Sequence, residues 1–203
     1  MQRHADFRPC GNLQTANQWD MARIPYADPA QHDADTADLL GKLAPLNIFQ
    51  MMAHAPHLLR PFTNLGSAFL YKGVLDPVTR ECAILRVGYL SNASYEVAQH
   101  ETIGRSLGMD DGLFAALRSG WDAPGLSQEQ RLAVAFVDDL VTNVKASPTT
   151  FDPVLAHFGP AGAQELTLVT GFYIMVCRFL ETFDVDIEGG GAKGLDMDKP
   201  PGR

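Results

Sequence analysis

An all-α fold is what this sequence predicts, on three observations. Caps and stops recur at helical intervals from about residue 35 onward, and apolar residues repeat every three or four positions between them. No alternating apolar–polar run bounded by hairpin turns is found along the chain. The 203 residues are 46% hydrophobic, enough for one sizeable core or two closely packed halves.

The elements follow in order. Residues 1–34 are rich in Pro, Gly, Gln, Asn and Asp and read as a loosely ordered N-terminal segment. Residues 36–43 form a short amphipathic helix that Pro45 stops, and 47–53 continue apolar until Pro56. Leu58, Leu59, Phe62, Leu65, Phe69 and Leu70 mark a helical face over 57–71, closed by Lys72-Gly73. Asp76-Pro77 is a cap followed by a first-turn proline, opening a helix to about Ser91. That helix is apolar nearly all round, so it is expected at the centre of the fold.

Ser94 is expected to cap a helix over 95–107, which Gly108 ends, and Asp110 starts a shorter one that Gly120 closes. After a linker at 122–126, Ser127-Gln128-Glu129-Gln130 is a capping box for a helix to about Lys145. Residues 148–158 form another helix, ended by Gly159-Pro160, and 163–184 a long apolar one. Residues 35–188 are thus a single helical domain, and the Gly/Pro-rich stretch 189–203 is a flexible tail.

A net charge of -8 argues against nucleic acid or an anionic membrane as a partner. The most apolar stretch, 166–180, is interrupted by Thr167, Thr170, Gly171 and Arg178 and reads as too short and too polar to span a bilayer. With no signal-peptide pattern at the start, a cytoplasmic location is expected. Cys10, Cys82 and Cys177 are widely spaced and form no Cys-x-x-Cys, so neither a disulfide framework nor a zinc knuckle is indicated.

The chemistry-bearing residues are Glu81, Glu96 and His100. Glu96 and His100 are four apart and share a helix face. Glu81 lies inside an apolar run, where a carboxylate needs a partner, and His100 or Arg80 can supply one. Two carboxylates and an imidazole that converge make an acid–base set. The same three could ligate a divalent metal. Arg178, in the most apolar helix, calls for an acid: either Glu181 nearby or a substrate carboxylate. His54 and His57 read as surface histidines, Asp138-Asp139 as a solvated helix face, and Tyr173 as core.

Arg80-Glu81, Gly88, Tyr95-Glu96-Val97-Ala98-Gln99-His100 and Gly108-Met109 together resemble the carboxymuconolactone decarboxylase family. That all-helical group includes the AhpD-type alkylhydroperoxidases, and the resemblance extends over about residues 22–188. It implies an AhpD-like bundle of mostly antiparallel helices and a homo-oligomer. The peroxidases carry a Cys-x-x-Cys pair where this chain has Ala93 and Glu96, so dithiol peroxidase chemistry is not expected.

A Glu in place of the cysteine resembles the decarboxylase branch. There the resemblance implies acid–base catalysis, with no metal or organic cofactor, on a lactone or conjugated carboxylic acid: decarboxylation or proton transfer, a lyase or isomerase. Glu81, Glu96 and His100 would be catalytic, with His100 the acid and Glu96 orienting it, and Tyr95 and Arg178 would contact a small-molecule substrate. The alternatives are a non-catalytic, small-molecule-binding homo-oligomer and a metal-dependent enzyme using the same three residues.

Overall fold

The computed structural model describes residues 22–188, and the expectations for 1–21 and 189–203 lie outside the described residues. The described residues form α1 (Ala34–Lys42), α2 (Asn47–Met52), α3 (Pro56–Lys72), α4 (Pro77–Ser91), α5 (Ser94–Ser106), α6 (Asp111–Ser119), α7 (Gln128–Thr142) and α8 (Pro148–Phe183). No strand occurs among them, as the helical periodicity predicts.

Helix α4 is the axis of the fold. It packs against α5, α7 and α8. Its Ala83, Ile84 and Val87 enter one apolar cluster, while Cys82 and Leu85 enter a second built with α6 and α7. Both of its sides are therefore buried, which explains why its sequence lacks a polar stripe. Arg86 ties the layers together: its Nε and Nη2 bond Asp138 of α7 at 2.5 and 3.1 Å, and its Nη1 donates to the carbonyls of Leu117 and Arg118 on α6.

Several local expectations are corrected. Asp138 is this ion-pair partner rather than a solvated charge. Asp139 accepts from the Ser147 backbone and hydroxyl and from Thr150, joining the end of α7 to the start of α8. Those donors hold its carboxyl well below the usual carboxylate range. Ser94 is the first residue of α5 rather than its cap; Ala93 takes the cap position without a side-chain bond. Ala93 is fully buried in the core, so packing decides the helix start there. Helix α7 ends at Thr142, short of Lys145.

Helix α8 breaks where Gly159-Pro160 predicts. Gly159 adopts φ 68°, ψ 179°, a conformation closed to L side chains, and divides α8 into limbs 148–158 and 160–183. By length and composition alone α8 could cross a bilayer, more than the stretch 166–180 suggests. Its apolarity has another use here: Leu166, Val169, Tyr173, Val176, Cys177 and Leu180 face the core.

Both ends of the described chain are pinned. Residues 22–33, expected to be loose, include one 3₁₀ turn at Pro29–Gln31 and are tied down at several points. Arg23 pairs with Asp184 at 2.6 Å, and the Tyr26 hydroxyl donates to Asp186 at 2.8 Å. His54 Nε2 meets the Pro25 carbonyl at 2.8 Å, consistent with its reading as a surface histidine. The extended segment 184–188 crosses to α2, where Asn47 Nδ2 donates to the Asp186 carbonyl at 2.8 Å. Glu188 Oε1 accepts from the Asn47 backbone N–H, capping a helix that has no cap of its own.

Candidate active site

The site grows from the hairpin of α4 and α5. Asp76 caps α4, accepting from the Thr79 backbone at 3.0 Å, and Asn92 ends it in the left-handed conformation at φ 50°. The chain then runs back as α5. Near the turn the two helices press together: a Cβ at Gly88 would lie 3.1 Å from Val97 Cγ2. At about 1.5 Å per residue, Glu81 and His100 stand roughly 16 and 12 Å from that turn on facing helices, so they meet.

The meeting is direct. His100 Nδ1 donates to Glu81 Oε2 at 2.7 Å, and His100 Nε2 lies 3.0 Å from Glu96 Oε1. The second contact has ion-pair distance without hydrogen-bond alignment, so Glu96 Oε1 keeps no hydrogen-bond partner. Glu81 is 0% exposed, Glu96 3% and His100 6%. Arg80, also buried, approaches Glu81 Oε1 at 3.6 Å, an electrostatic neighbour too distant for a hydrogen bond.

Burial alone would pull the His100 pKa down. The charges of Glu81 and then Glu96 outweigh it, together with the hydrogen bond to Glu81, and raise it to about 10. His100 is therefore an imidazolium at neutral pH, held between two carboxylates.

Glu96 and His100 open onto a cavity of about 110 Å³, small beside the ~300–1,000 Å³ of drug-sized sites. Its wall is mainly apolar, with Leu46, Ile48 and Phe49 from the α2 region, Phe62 from α3, and Phe172 and Val176 from α8. Glu81 does not line it, lying behind His100. The two carboxylates thus differ in place: Glu81 orients the imidazole, the task expected of Glu96, while Glu96 faces the cavity.

Tyr95 lines the cavity, but its hydroxyl donates to Glu188 at 2.7 Å. Arg178 does not belong to the site. It is exposed, and its Nη1 donates to the Ile174 carbonyl at 3.0 Å. The sequence placed it in an apolar helix because the outward face of α8 is itself apolar, with Leu168 and Met175 half exposed.

Two further wall residues were not anticipated. Tyr173, read as core, stacks edge-on against His100 with centroids 5.0 Å apart. Burial, then the charges of Glu96 and Glu81, raise its pKa well above 10, so its hydroxyl remains a donor. Gln99 donates to Glu188 at 2.5 Å and lines the cavity. Its spacing of three from Glu96 is the signal that could have found it.

As a metal site the trio is poorly arranged. Both imidazole nitrogens are directed at carboxylates, and Glu81 is walled off by His100. Among the described residues no group of three His, Cys, Asp or Glu is set to hold a metal ion. Cys82 and Cys177 are buried and free, with thiol pKa values pushed up to about 12, chiefly by burial. Neither is an activated thiolate.

The profile of the Carboxymuconolactone decarboxylase family matches residues 56–139, the stretch that holds the α4–α5 hairpin. Similar solved structures include an uncharacterized peroxidase-related protein from Ralstonia eutropha JMP134 with the alkylhydroperoxidase AhpD core. It has TM-score 0.75 and 19% identity, over 88% of this chain and 97% of that one. An uncharacterized peroxidase-related protein from Silicibacter sp. TM1040 has TM-score 0.72 and 19% identity, over 90% and 98%. A putative antioxidant defence protein AhpD from Agrobacterium tumefaciens has TM-score 0.63 and 16% identity, over 68% and 95%. At such identities the likeness is one of fold. No curated protein matches the chain.

Proposed function

We propose that this chain, whose residues 56–139 match the carboxymuconolactone decarboxylase family and whose helical fold is AhpD-like, is a cofactor-independent acid–base enzyme. Its substrate is a small lactone or conjugated carboxylic acid. The observation that carries this reading is His100, bonded to the buried Glu81 on one nitrogen and facing Glu96 on the other, in the wall of an apolar cavity.

The chemistry follows from that order. The Glu96 carboxylate takes a proton from carbon beside a carbonyl, and the electron pair moves onto the carbonyl oxygen. The His100 imidazolium, with the Tyr173 hydroxyl, donates to that developing oxyanion. Return of the proton at another carbon completes an isomerisation. In a decarboxylation the carbon–carbon bond to the departing carbon dioxide breaks instead, the same oxygen holds the charge, and His100 supplies the proton to carbon. Glu81 touches no substrate; it holds the imidazole and its charge. The apolar wall keeps water away, which strengthens each of these interactions.

The test is deuterium exchange from heavy water into unsaturated five-membered lactones, followed by proton NMR. Wild-type protein should accelerate exchange at the carbon beside the carbonyl, and Glu96→Gln should lose that acceleration by about 10²-fold or more. Equal exchange in both proteins would sink the assignment of Glu96 as base.

The homo-oligomer expectation has support in one outward groove. Leu58 of α3 and Met175 of α8, 53% and 50% exposed, line it together with Met52 and Phe179. Isolated surface leucines are ordinary, but a continuous apolar groove suits burial against a second copy. Sedimentation equilibrium should show association that Leu58→Glu weakens; an unchanged monomer in both would remove the proposal.

A further inference from the structure

We infer that Arg80 is a positioning residue of this site: its charge lets Glu81 and Glu96 both stay ionised around one imidazolium, which leaves Glu96 free to act as the base. The inference rests on the proton-transfer reading above and deepens it.

Helix α4 carries two buried arginines in different circumstances. Arg86, 8% exposed, directs Nε and Nη2 to Asp138 and Nη1 to two carbonyls of α6. Arg80 is buried more deeply, at 2%, yet its Nε and Nη2 have no hydrogen-bond partner among the described residues. Glu81 Oε1, 3.6 Å from that Nε, has none either. A buried ion with open donors is costly, and proteins keep few of them. An arginine retained for packing alone would be satisfied as Arg86 is, so the charge of Arg80 points to the site it borders.

The order of the charges gives it a task. Arg80, Glu81, His100 and Glu96 alternate in sign, in steps of 3.6, 2.7 and 3.0 Å. All four are buried, and together they are neutral. Burial disfavours charge on His100, and Glu81 and then Glu96 overcome it, so the ring is positive at neutral pH. The groups around them are uncharged. Tyr173 and Cys177 of α8 keep their protons, chiefly because of burial. Cys82 does so as well, held by burial, then Glu81, then Asp76 at the start of α4 and Glu129 of α7.

Without Arg80, two carboxylates would share one imidazolium away from water. Such a site takes up a further proton near neutrality. Glu96, which faces the cavity, is the carboxylate placed to receive it, and a protonated Glu96 cannot draw a proton from carbon. The field of Arg80 reaches the cavity wall: at the Tyr173 hydroxyl it is the cation that opposes burial, Glu96 and Glu81.

The test compares Arg80→Met, which keeps an apolar stem without the charge, with Arg80→Lys, which restores a charge. Deuterium exchange from heavy water into an unsaturated five-membered lactone is followed across a pH series. In Arg80→Met the onset of exchange should move to higher pH by about one unit, with exchange near neutrality roughly tenfold slower. Arg80→Lys should return the onset most of the way to wild type. Where Arg80→Met does not fold, Arg80→Gln takes its place with the same expected shift. Urea unfolding of Arg80→Met, Glu81→Gln and the double variant runs beside the kinetics. The double variant balances the charges again, so its loss of stability should be smaller than the two single losses combined.

An unmoved onset in a folded neutral variant overturns the inference and keeps the acid–base function, and so does a shift that Arg80→Lys repeats in full. Absence of exchange by wild type at every pH removes the function, and the unfolding cycle then decides. Additive losses overturn the charge balance as well, whereas strong coupling upholds it.

Discussion

Exchange of His100 for Gln is expected to lower turnover at this site by roughly 10²–10⁴-fold, the usual weight of a general acid. The loss should fall on kcat, with KM changed little, because the imidazolium donates to an oxygen whose charge develops only on the way to the transition state. Glutamine keeps a donor amide near the place of the ring but has no proton to give at neutral pH. Steady-state kinetics on any lactone that exchanges its proton measure the effect. Wild-type turnover in a correctly folded His100→Gln protein would take the residue out of the reaction.

The larger effect on stability belongs to Glu81. Glu81→Ala removes the hydrogen-bonded partner of a buried imidazolium, and breaking such a pair costs about 3–5 kcal/mol. The pH dependence carries a sharper signature. In the folded protein the His100 pKa is raised from 6.5 to about 10. A group raised on folding contributes stability that is complete below its unfolded pKa. Here it is lost as pH climbs from 6.5 through about 10.

Over that window the folded chain holds a proton that the unfolded chain has released. Unfolding free energy therefore falls with pH, by up to about 1.4 kcal/mol per unit from this one group. With Glu81→Gln, the largest charge holding that proton is gone and burial opposes it, so the decline, which still starts near the unfolded pKa of 6.5, should be smaller in total and end at a lower pH. Urea unfolding of both proteins at a series of pH values from 6 to 10 makes the comparison. Parallel curves would show that Glu81 does not set the proton affinity of His100.

Much of the fold was legible because its helix starts are written in local chemistry. Asp76-Pro77 and the Ser127 capping box act within one turn, so the sequence alone locates them. The convergence of Glu81, Glu96 and His100 was legible for a related reason. Helical spacing joins the last two, and a two-residue connection between helices brings the first alongside.

What escaped depends on contacts between distant segments. Whether Tyr173 faces core or cavity is decided by α2 and α3 across from it. The Glu188 contacts with Tyr95 and Gln99 join residues 93 and 89 positions apart. Arg178 was misplaced for a different reason. Exposed apolar residues on α8 blur the stripe that normally tells the inner face of a helix from the outer, whereas α4 lacks a stripe because even its Arg80, Glu81 and Arg86 are buried.

The way Glu188 closes over α2 and α5 has a consequence for the newborn chain. His100 and Glu81 are only 19 residues apart, so their hairpin can assemble early during synthesis. Glu188 follows Gln99 by 89 residues, which at ~5–20 residues per second is a delay of about 4–18 s on the ribosome. Through that interval the charged trio exists beside water, without the α8 wall or the final clasp on α2. Glu81, Glu96 and His100 are thus translated well before the chamber that gives them a dry environment, and that chamber closes only when α8 and the segment 184–188 have been made.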